Sequence, residues 1–150
     1  MGAYQTVPSS INNVGAITGN FTDANYLLHG FLRAPDGTFT TFDAPGASAN
    51  GLFGTQAYSI NARGAIVGFY QDTNGGFHGF LRAANGTFTT LDAPGAARGT
   101  FAFSINQAGA IAGSYWDSST VSHGFVTIPQ SPLHNPPHGR HHGRGHRDRD

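Results

Sequence analysis

Three copies of one motif, each beginning with Ser-Ile-Asn, constrain the fold of this chain more than any other feature. They begin at Ser10, Ser59 and Ser104, so successive copies are offset by 49 and 45 residues. In every copy a glycine lies five residues after the serine, Ala-Ile follows it, and His-Gly-Phe begins 19 residues after the serine. This constant spacing indicates a repeat protein, in which units bury their apolar faces against one another.

The second copy shows how one unit divides into strands. Stretches rich in aromatic and branched residues alternate with turn-forming residues, among them Asn85-Gly86, a strong hairpin signal. The predicted strands are residues 55–61, 65–71, 77–83 and 87–93. Four antiparallel strands in about 45 residues are typical of a propeller blade. We therefore predict an all-β, propeller-like array of about three four-stranded antiparallel blades, with a β-solenoid or an irregular β-sandwich as the alternative.

The second predicted strand of each copy has a glycine near its middle, at Gly19, Gly68 and Gly113. Glycine weakens a strand interior, so its repeated presence predicts that another backbone or a ring packs closely there. In the second copy the two faces of this strand are both largely apolar, with Ile66 on one face and Val67 on the other. This pattern predicts a sheet that is covered on both faces.

The repeats also set the predicted boundaries, which are an N-terminal strand in residues 1–9, repeats in residues 10–58, 59–103 and 104–128, and a tail in residues 129–150. The third repeat ends before a fourth strand. Residues 2–7 align with residues 37–42, a predicted fourth strand, which suggests that they are donated to a third blade in another chain. The competing interpretation makes residues 4–9 the first strand of the first blade.

Composition supports the all-β class and narrows the range of partners. All eight basic residues are Arg and all eight acidic residues are Asp, so Lys and Glu, which surface helices favour, are absent. The formal net charge of zero provides no long-range attraction to nucleic acid or to an anionic membrane. No apolar run is long enough to span a membrane, and the N-terminus lacks the pattern of a signal peptide.

Polar residues that recur once per repeat are expected to be structural. Some of these side chains are expected to accept hydrogen bonds from turn N–H groups. The half-buried imidazoles are expected to bond to a Ser or Asp of their own or a neighbouring blade. These positions are Ser10, Asn12, Asp23, His29, Ser59, Asn61, Asp72, His78, Ser104, Asn106, Asp117 and His123. The alternative is a metal site on the propeller axis, where the three His-Gly-Phe imidazoles converge. No residue is predicted to be catalytic, because no Ser/His/Asp set lies outside the repeat and no Glu is available as an acid or base.

Positions that differ between the copies are better candidates for binding. Tyr115 and Trp116 are adjacent aromatic residues, and the other copies have Thr22 and Gln71 where Trp116 stands. Such a pair is a candidate for stacking on a sugar or a peptide, and the alternative is that Trp116 covers the end of the third blade. Two further sites match the glycosylation pattern, at Asn20 and Asn85.

The tail in residues 129–150 has a composition that does not form a core. Its imidazoles are candidates for non-selective binding of Zn²⁺, Ni²⁺ or Cu²⁺, at His138, His141, His142 and His146. The alternative is a solvated tail that binds no metal. No other cofactor is expected.

The repeat itself resembles a known family. The pattern Ser-Ile-Asn-x-x-Gly-Ala-Ile-x-Gly-x-aromatic-x-Asp, then His-Gly-Phe, then Gly-Thr-Phe-Thr-Thr-hydrophobic-Asp-Ala-Pro-Gly, is similar to the HAF-type repeats of bacterial extracellular proteins and covers residues 10–128. The resemblance implies propeller-like architecture and an extracellular or cell-surface location, and it implies no defined activity. Most such proteins have more than three repeats, which suggests that this array is completed by oligomerisation.

These observations together predict a non-catalytic extracellular assembly module. We expect it to bind copies of itself through blade faces and strand exchange, because an open array leaves two apolar blade faces uncovered. The product is a closed ring or a filament, depending on whether the contacts close. A glycan-binding propeller lectin is the first alternative, and metal binding through the tail is the second.

Overall fold

The computed structural model describes residues 4–49 and 53–129, which form three antiparallel sheets. Sheet 1 contains β1 (Gln5–Ile11), β2 (Ile17–Thr22), β3 (Leu28–Arg33) and β4 (Phe39–Phe42). Sheet 2 contains β5 (Thr55–Ile60), β6 (Ile66–Gln71), β7 (Phe77–Arg82) and β8 (Phe88–Leu91). Sheet 3 contains β9 (Gly99–Ile105), β10 (Ile111–Trp116) and β11 (Ser122–Thr127). Neighbouring strands in each sheet follow chain order.

The predicted all-β class is confirmed, because the described residues form three antiparallel sheets of four, four and three strands. The strands predicted for the second repeat correspond to β5, β6, β7 and β8. The finer expectation of a propeller stays a prediction. None of the described residues belongs to a helix long and apolar enough to cross a membrane.

The N-terminal segment is used within its own sheet. β1 pairs antiparallel with β2, and Gln5 lies opposite Thr22 while Ile11 lies opposite Ile17. This is the arrangement that the competing interpretation of residues 4–9 expected. A strand donated to another chain would have to leave this pairing.

The glycine in the middle of each second strand lies where the first strand bulges. In sheet 2 the register shifts between Ala57 and Ser59. A Cβ atom at Gly68 would meet the carbonyl oxygen of Gln56 and, at 2.9 Å, the ring of Phe80. The same arrangement recurs at Gly19 and Gly113. The predicted close approach is therefore confirmed, and both a backbone and a ring cause it.

Consecutive sheets pack face to face along the chain. β5 contacts β1, β2 and β3, and β9 contacts β5, β6 and β7. Residues 66–70 of β6 are all buried, because Ile66 joins a core with Phe42 of sheet 1 while Val67 joins a second core with Ile105 of sheet 3. The prediction that the middle sheet is covered on both faces is confirmed.

Candidate functional site

The Ser-Ile-Asn motifs lie at the junctions between sheets and join them by hydrogen bonds. At the first junction Asn12 Nδ2 donates to the backbone oxygen of Asn61 at 2.9 Å. Beside it, the backbone N–H of Ile60 donates to Ser10 Oγ at 3.4 Å. The serine and the asparagine of one motif therefore bind the backbone of the next motif.

The second junction repeats the first. Asn61 Nδ2 donates to the backbone oxygen of Asn106 at 3.2 Å, and the backbone N–H of Ile105 donates to Ser59 Oγ at 3.3 Å. The two pairs of bonds form a ladder that runs from sheet to sheet. The sequence motif is thus the signature of an interface between neighbouring repeats.

The same asparagine also holds the turn that follows its own strand. Asn61 Oδ1 accepts the backbone N–H groups of Arg63 at 3.0 Å and of Ala65 at 3.1 Å. Gly64 lies in this turn with a φ of 80°, a left-handed conformation that favours glycine. Each junction asparagine therefore fixes the turn and contacts the next repeat at once.

The ladder is open at the N-terminal end of the array. Ile11 is 66% exposed, whereas its counterparts Ile60 and Ile105 are 5% and 7% exposed. A groove of about 320 Å³ beside Ile11 is lined by Pro8 and Ile17 together with the intervening serines. We call this exposed surface of sheet 1 the N-terminal face.

The ladder is also open at the other end. Ala112 of β10 is exposed, whereas its counterparts Thr18 and Val67 are fully buried. Neither Ser104 Oγ nor Asn106 Nδ2 has a hydrogen-bond partner among the described residues, because no further Ser-Ile-Asn motif follows there. We call this surface of sheet 3 the C-terminal face.

A second repeated cluster surrounds the histidine of each His-Gly-Phe motif. In sheet 2, Nδ1 of His78 lies 2.9 Å from Asp92, and Nε2 lies 3.4 Å from Asp72. The imidazole also stacks on Tyr70, with ring centroids 5.3 Å apart. Because both ring nitrogens face carboxylates, the doubly protonated imidazolium satisfies the cluster best.

The cluster is complete in sheet 1 and incomplete in sheet 3. Nδ1 of His29 lies 2.9 Å from Asp43, and Nε2 lies 3.7 Å from Asp23. His123 binds Asp117 at 2.9 Å through Nε2, and the described part of sheet 3 supplies no carboxylate to Nδ1. The difference arises because Asp43 and Asp92 follow fourth strands.

Hydrogen bonds and charges in these clusters raise the pKa of His78 and lower the pKa values of three aspartates. Burial alone lowers the pKa of His78, but hydrogen bonds and charge attraction from Asp92 and Asp72 outweigh burial and raise it. The backbone N–H of Gly76 is the largest cause that lowers the pKa of Asp72. His123 is the largest cause that lowers the pKa of Asp117, and a backbone bond from Leu27 does so for Asp23.

The three aspartates of these clusters also fix turns. Asp72 Oδ1 accepts the backbone N–H groups of Asn74 at 2.8 Å and of Gly76 at 2.7 Å. Asp23 and Asp117 make the equivalent bonds in their own turns. The carboxylates therefore tie the turn after each second strand to the histidine of the third strand.

The described residues do not form the three-histidine metal site that is the alternative to a structural role. Within residues 4–49 and 53–129 no group of three or more His or Asp side chains is placed to hold a metal ion. The three His-Gly-Phe imidazoles lie in separate sheets, each beside carboxylates of its own repeat. The predicted ligands of the tail lie outside the described residues, namely His138, His141, His142 and His146.

The adjacent aromatics of β10 do not form one platform. Tyr115 stacks on His123 with centroids 5.0 Å apart, as Tyr70 does on His78. Trp116 is the next residue of the strand, so its side chain leaves the opposite face, and it is 41% exposed. A ligand-binding role for Trp116 stays a prediction. Tyr115 instead stands at a position of the repeat where Tyr70 makes the same stacking contact with histidine.

The two candidate glycosylation sites lie in different environments. Asn20 is half-buried, and its Oδ1 accepts the backbone N–H of Ala57 in sheet 2 at 2.6 Å. Asn85 is exposed in a hairpin turn, where its Oδ1 accepts the N–H of Thr87 at 3.0 Å. Asn85 is therefore the more accessible of the two.

One aromatic cluster between sheets 2 and 3 is absent from the sequence-based predictions. Phe69 contacts Phe101, with centroids 4.9 Å apart, and Tyr58, with centroids 5.4 Å apart. The counterparts of Phe69 in the other sheets are Asn20 and Ser114. A comparison of the aligned repeats for aromatic residues that are not repeated would have revealed this cluster.

Comparisons with protein-family models, with curated proteins and with solved structures found no match to this chain. The resemblance to the HAF-type repeats therefore stays a prediction.

Proposed function

We propose that this chain is a non-catalytic structural module that assembles end to end with copies of itself. The observation that carries the proposal is the contrast between Ile11, 66% exposed, and Ile60, 5% exposed, at the same position of the repeat. Among residues 4–49 and 53–129, no Ser-Ile-Asn motif packs against the N-terminal face or against the C-terminal face. The two ends thus carry complementary halves of a junction that occurs twice inside the chain.

The proposed contact between copies follows the pattern of the internal junctions. Ser104 Oγ of one copy accepts the backbone N–H of Ile11 in the next, and Asn106 Nδ2 donates to the backbone oxygen of Asn12. The side chain of Ile11 leaves water by packing against the C-terminal face. Because the two faces differ, the contact is head to tail, and it produces a ring if the rotation closes or a filament if it does not.

The propeller arrangement and the extracellular location belong to the same proposal. The four-stranded unit, the face-to-face packing of consecutive sheets and the HAF-like pattern support them. Strand exchange by residues 2–7 is the less favoured route to assembly, because β1 is already paired with β2.

Substitution on the N-terminal face tests the proposal. The wild-type chain is expected to form oligomers at micromolar concentration, and Ile11→Asp is expected to give monomers because it places a charge in an apolar contact. Val121→Asp is the matched control, since Val121 is 50% exposed and lies in the turn before β11. Sedimentation velocity measures the masses. A monomeric wild type, or an Ile11→Asp variant that assembles like the wild type, contradicts the proposal.

Glycan binding is the second candidate function, and the exposed indole of Trp116 favours it. A glycan array with wild type and Trp116→Ala tests it, with Tyr26→Ala as the control because Tyr26 is another exposed aromatic residue. Saturable binding that Trp116→Ala alone abolishes supports a lectin. Absence of binding by the assembled wild type rejects it.

A further inference from the structure

β11 has a free edge in the described part of the chain. The corresponding third strands are paired on both sides, β3 with β2 and β4, and β7 with β6 and β8. Among the described strands, β11 pairs with β10 alone. In sheet 1 the fourth strand places Phe42 opposite Gly30, and in sheet 2 it places Leu91 opposite Gly79. The equivalent position of β11 is Gly124.

No described residue fills the space over Gly124. A Cβ atom at Gly30 would collide with the ring of Phe42, and one at Gly79 would lie 3.3 Å from Cβ of Leu91. A Cβ atom at Gly124 would meet nothing nearer than the oxygen of Gly113 at 3.9 Å. In the other third strands the glycine leaves space that a large apolar side chain fills. At Gly124 no described side chain fills the equivalent space.

Within the described part of the chain, Phe125 also lacks the aromatic contact that its counterparts make with a fourth strand. Its counterpart Phe31 is 3% exposed and packs against Phe39 of β4, with ring centroids 5.8 Å apart. Phe80 packs against Phe88 of β8 in the same way, at 5.6 Å. Phe125 is only half-buried, and a groove of about 240 Å³ beside it is lined by β8, the residues after it and residues 125–127 of β11.

The third missing partner is a carboxylate. In the complete sheets the residue directly after the fourth strand is Asp43 or Asp92, and it binds Nδ1 of the histidine. His123 has its Nε2 bonded to Asp117, and no described carboxylate reaches Nδ1. The described edge therefore lacks two apolar groups and one carboxylate. In sheet 1 these groups come from Phe39, Phe42 and Asp43, in the sequence Phe-Thr-Thr-Phe-Asp.

We infer that the free edge of β11 binds an extended segment of the pattern aromatic-x-x-hydrophobic-Asp from a repeat of the same kind in another chain. The segment adds as an antiparallel fourth strand and forms main-chain hydrogen bonds along β11. Its hydrophobic residue covers Gly124, its aromatic residue packs on Phe125, and its carboxylate accepts a hydrogen bond from Nδ1 of His123. This site uses a sheet edge, so it goes beyond end-to-end assembly through the faces.

Other segments of this chain fit the edge less well. Residues 130–150 contain no Phe, Tyr or Trp. Residues 4–7, Tyr-Gln-Thr-Val, have the right spacing, but Pro8 follows instead of Asp and the segment is paired in sheet 1. Residues 39–43 and 88–92 carry the full pattern and show which kind of strand the edge accepts.

A synthetic peptide with the sequence of residues 37–46, labelled with a fluorophore, tests the inference. Fluorescence anisotropy is measured against the full chain carrying Ile11→Asp, so that end-to-end assembly does not interfere. We expect saturable binding of this peptide and binding at least about tenfold weaker for a peptide in which both Phe residues are Ser. A peptide with Asn in place of Asp is expected to bind about tenfold more weakly, because it loses a charge-assisted hydrogen bond.

Two protein variants identify the site. Gly124→Val fills the space over the strand and is expected to weaken binding at least about tenfold. His123→Gln is expected to bind the Asp and Asn peptides equally, because the carboxylate has lost its partner. The inference is overturned if a scrambled peptide binds equally well, or if Gly124→Val binds like its parent while circular dichroism shows both folded. If the peptide does not bind, the inference about the β11 edge is wrong, but the proposal of end-to-end assembly through the faces is not affected. The two proposals are therefore tested independently.

Discussion

Replacement of Asn61 by alanine should destabilise the chain far more than the same replacement at Asn106. Asn61 is 2% exposed and makes three hydrogen bonds, two to turn N–H groups and one to the backbone of Asn106. At about 1 kcal/mol for each bond, the loss is about 3 kcal/mol. Asn106 occupies the same motif position but is exposed and makes one described bond of this kind, to Ala110, so its loss is about 1 kcal/mol.

Urea unfolding followed by far-UV circular dichroism measures both losses. Both substitutions are made in the Ile11→Asp background, so that contacts between copies do not contribute. The expected difference of about 2 kcal/mol is large compared with the error of such measurements. Equal losses for the two variants, or a loss below about 1 kcal/mol for Asn61→Ala, would refute the ladder as the main polar contact between sheets.

Two further predictions concern the histidine clusters and the mid-strand glycines. The lowered pKa of Asp72 contributes stability that is lost as pH falls below 3.8, the ordinary pKa of Asp. The raised pKa of His78 contributes stability that is lost as pH rises above 6.5, the ordinary pKa of His. Asp92→Asn should therefore reduce the difference between urea midpoints at pH 5.5 and pH 8.5, and an unchanged difference would contradict the assigned cause. Gly68→Ala should lower the urea midpoint strongly, because the added Cβ meets backbone atoms. Gly124→Ala should leave the urea midpoint unchanged within experimental error. Similar changes in the urea midpoint for the two variants would contradict the described packing.

The strands could be predicted from the sequence because their signals are local. Turn residues such as Gly64 and Gly86 mark the reversals, and both have positive φ. The mid-strand Gly68 also signals a close contact, since no other residue fits beside the bulge at this point. The counterparts of Gly64 in the other two copies, Gly15 and Gly109, also have positive φ.

The junctions could not be predicted in the same way, because their partners are distant in the chain. Asn12 and Asn61 are separated by 49 residues, and the motif itself does not reveal that each asparagine reaches the next repeat. Nor does local sequence distinguish Ile11 from Ile60, since both stand in Ser-Ile-Asn. Their exposure differs because sheet 1 packs against Ile60, whereas no sheet formed by the described residues packs against Ile11.

The histidine clusters could be predicted in part, less fully than the strands but better than the junctions. The sequence predicts that each imidazole bonds to a Ser or Asp of its own or a neighbouring repeat. His78 binds two aspartates of its own repeat, one of them 14 residues later in the chain. That partner follows the fourth strand, so its position depends on the strand pairing between β7 and β8 rather than on local sequence.

Mixing two variants, each with one blocked face, tests head-to-tail assembly most directly. Ile11→Asp blocks the N-terminal face and Ala112→Asp blocks the C-terminal face, so neither variant alone can extend, but each retains the face that the other has lost. Sedimentation velocity of the equimolar mixture should show a complex of two chains, each of 15.7 kDa, while each variant alone is monomeric. A mixture that remains monomeric under conditions where the wild type assembles would contradict head-to-tail contact between these faces.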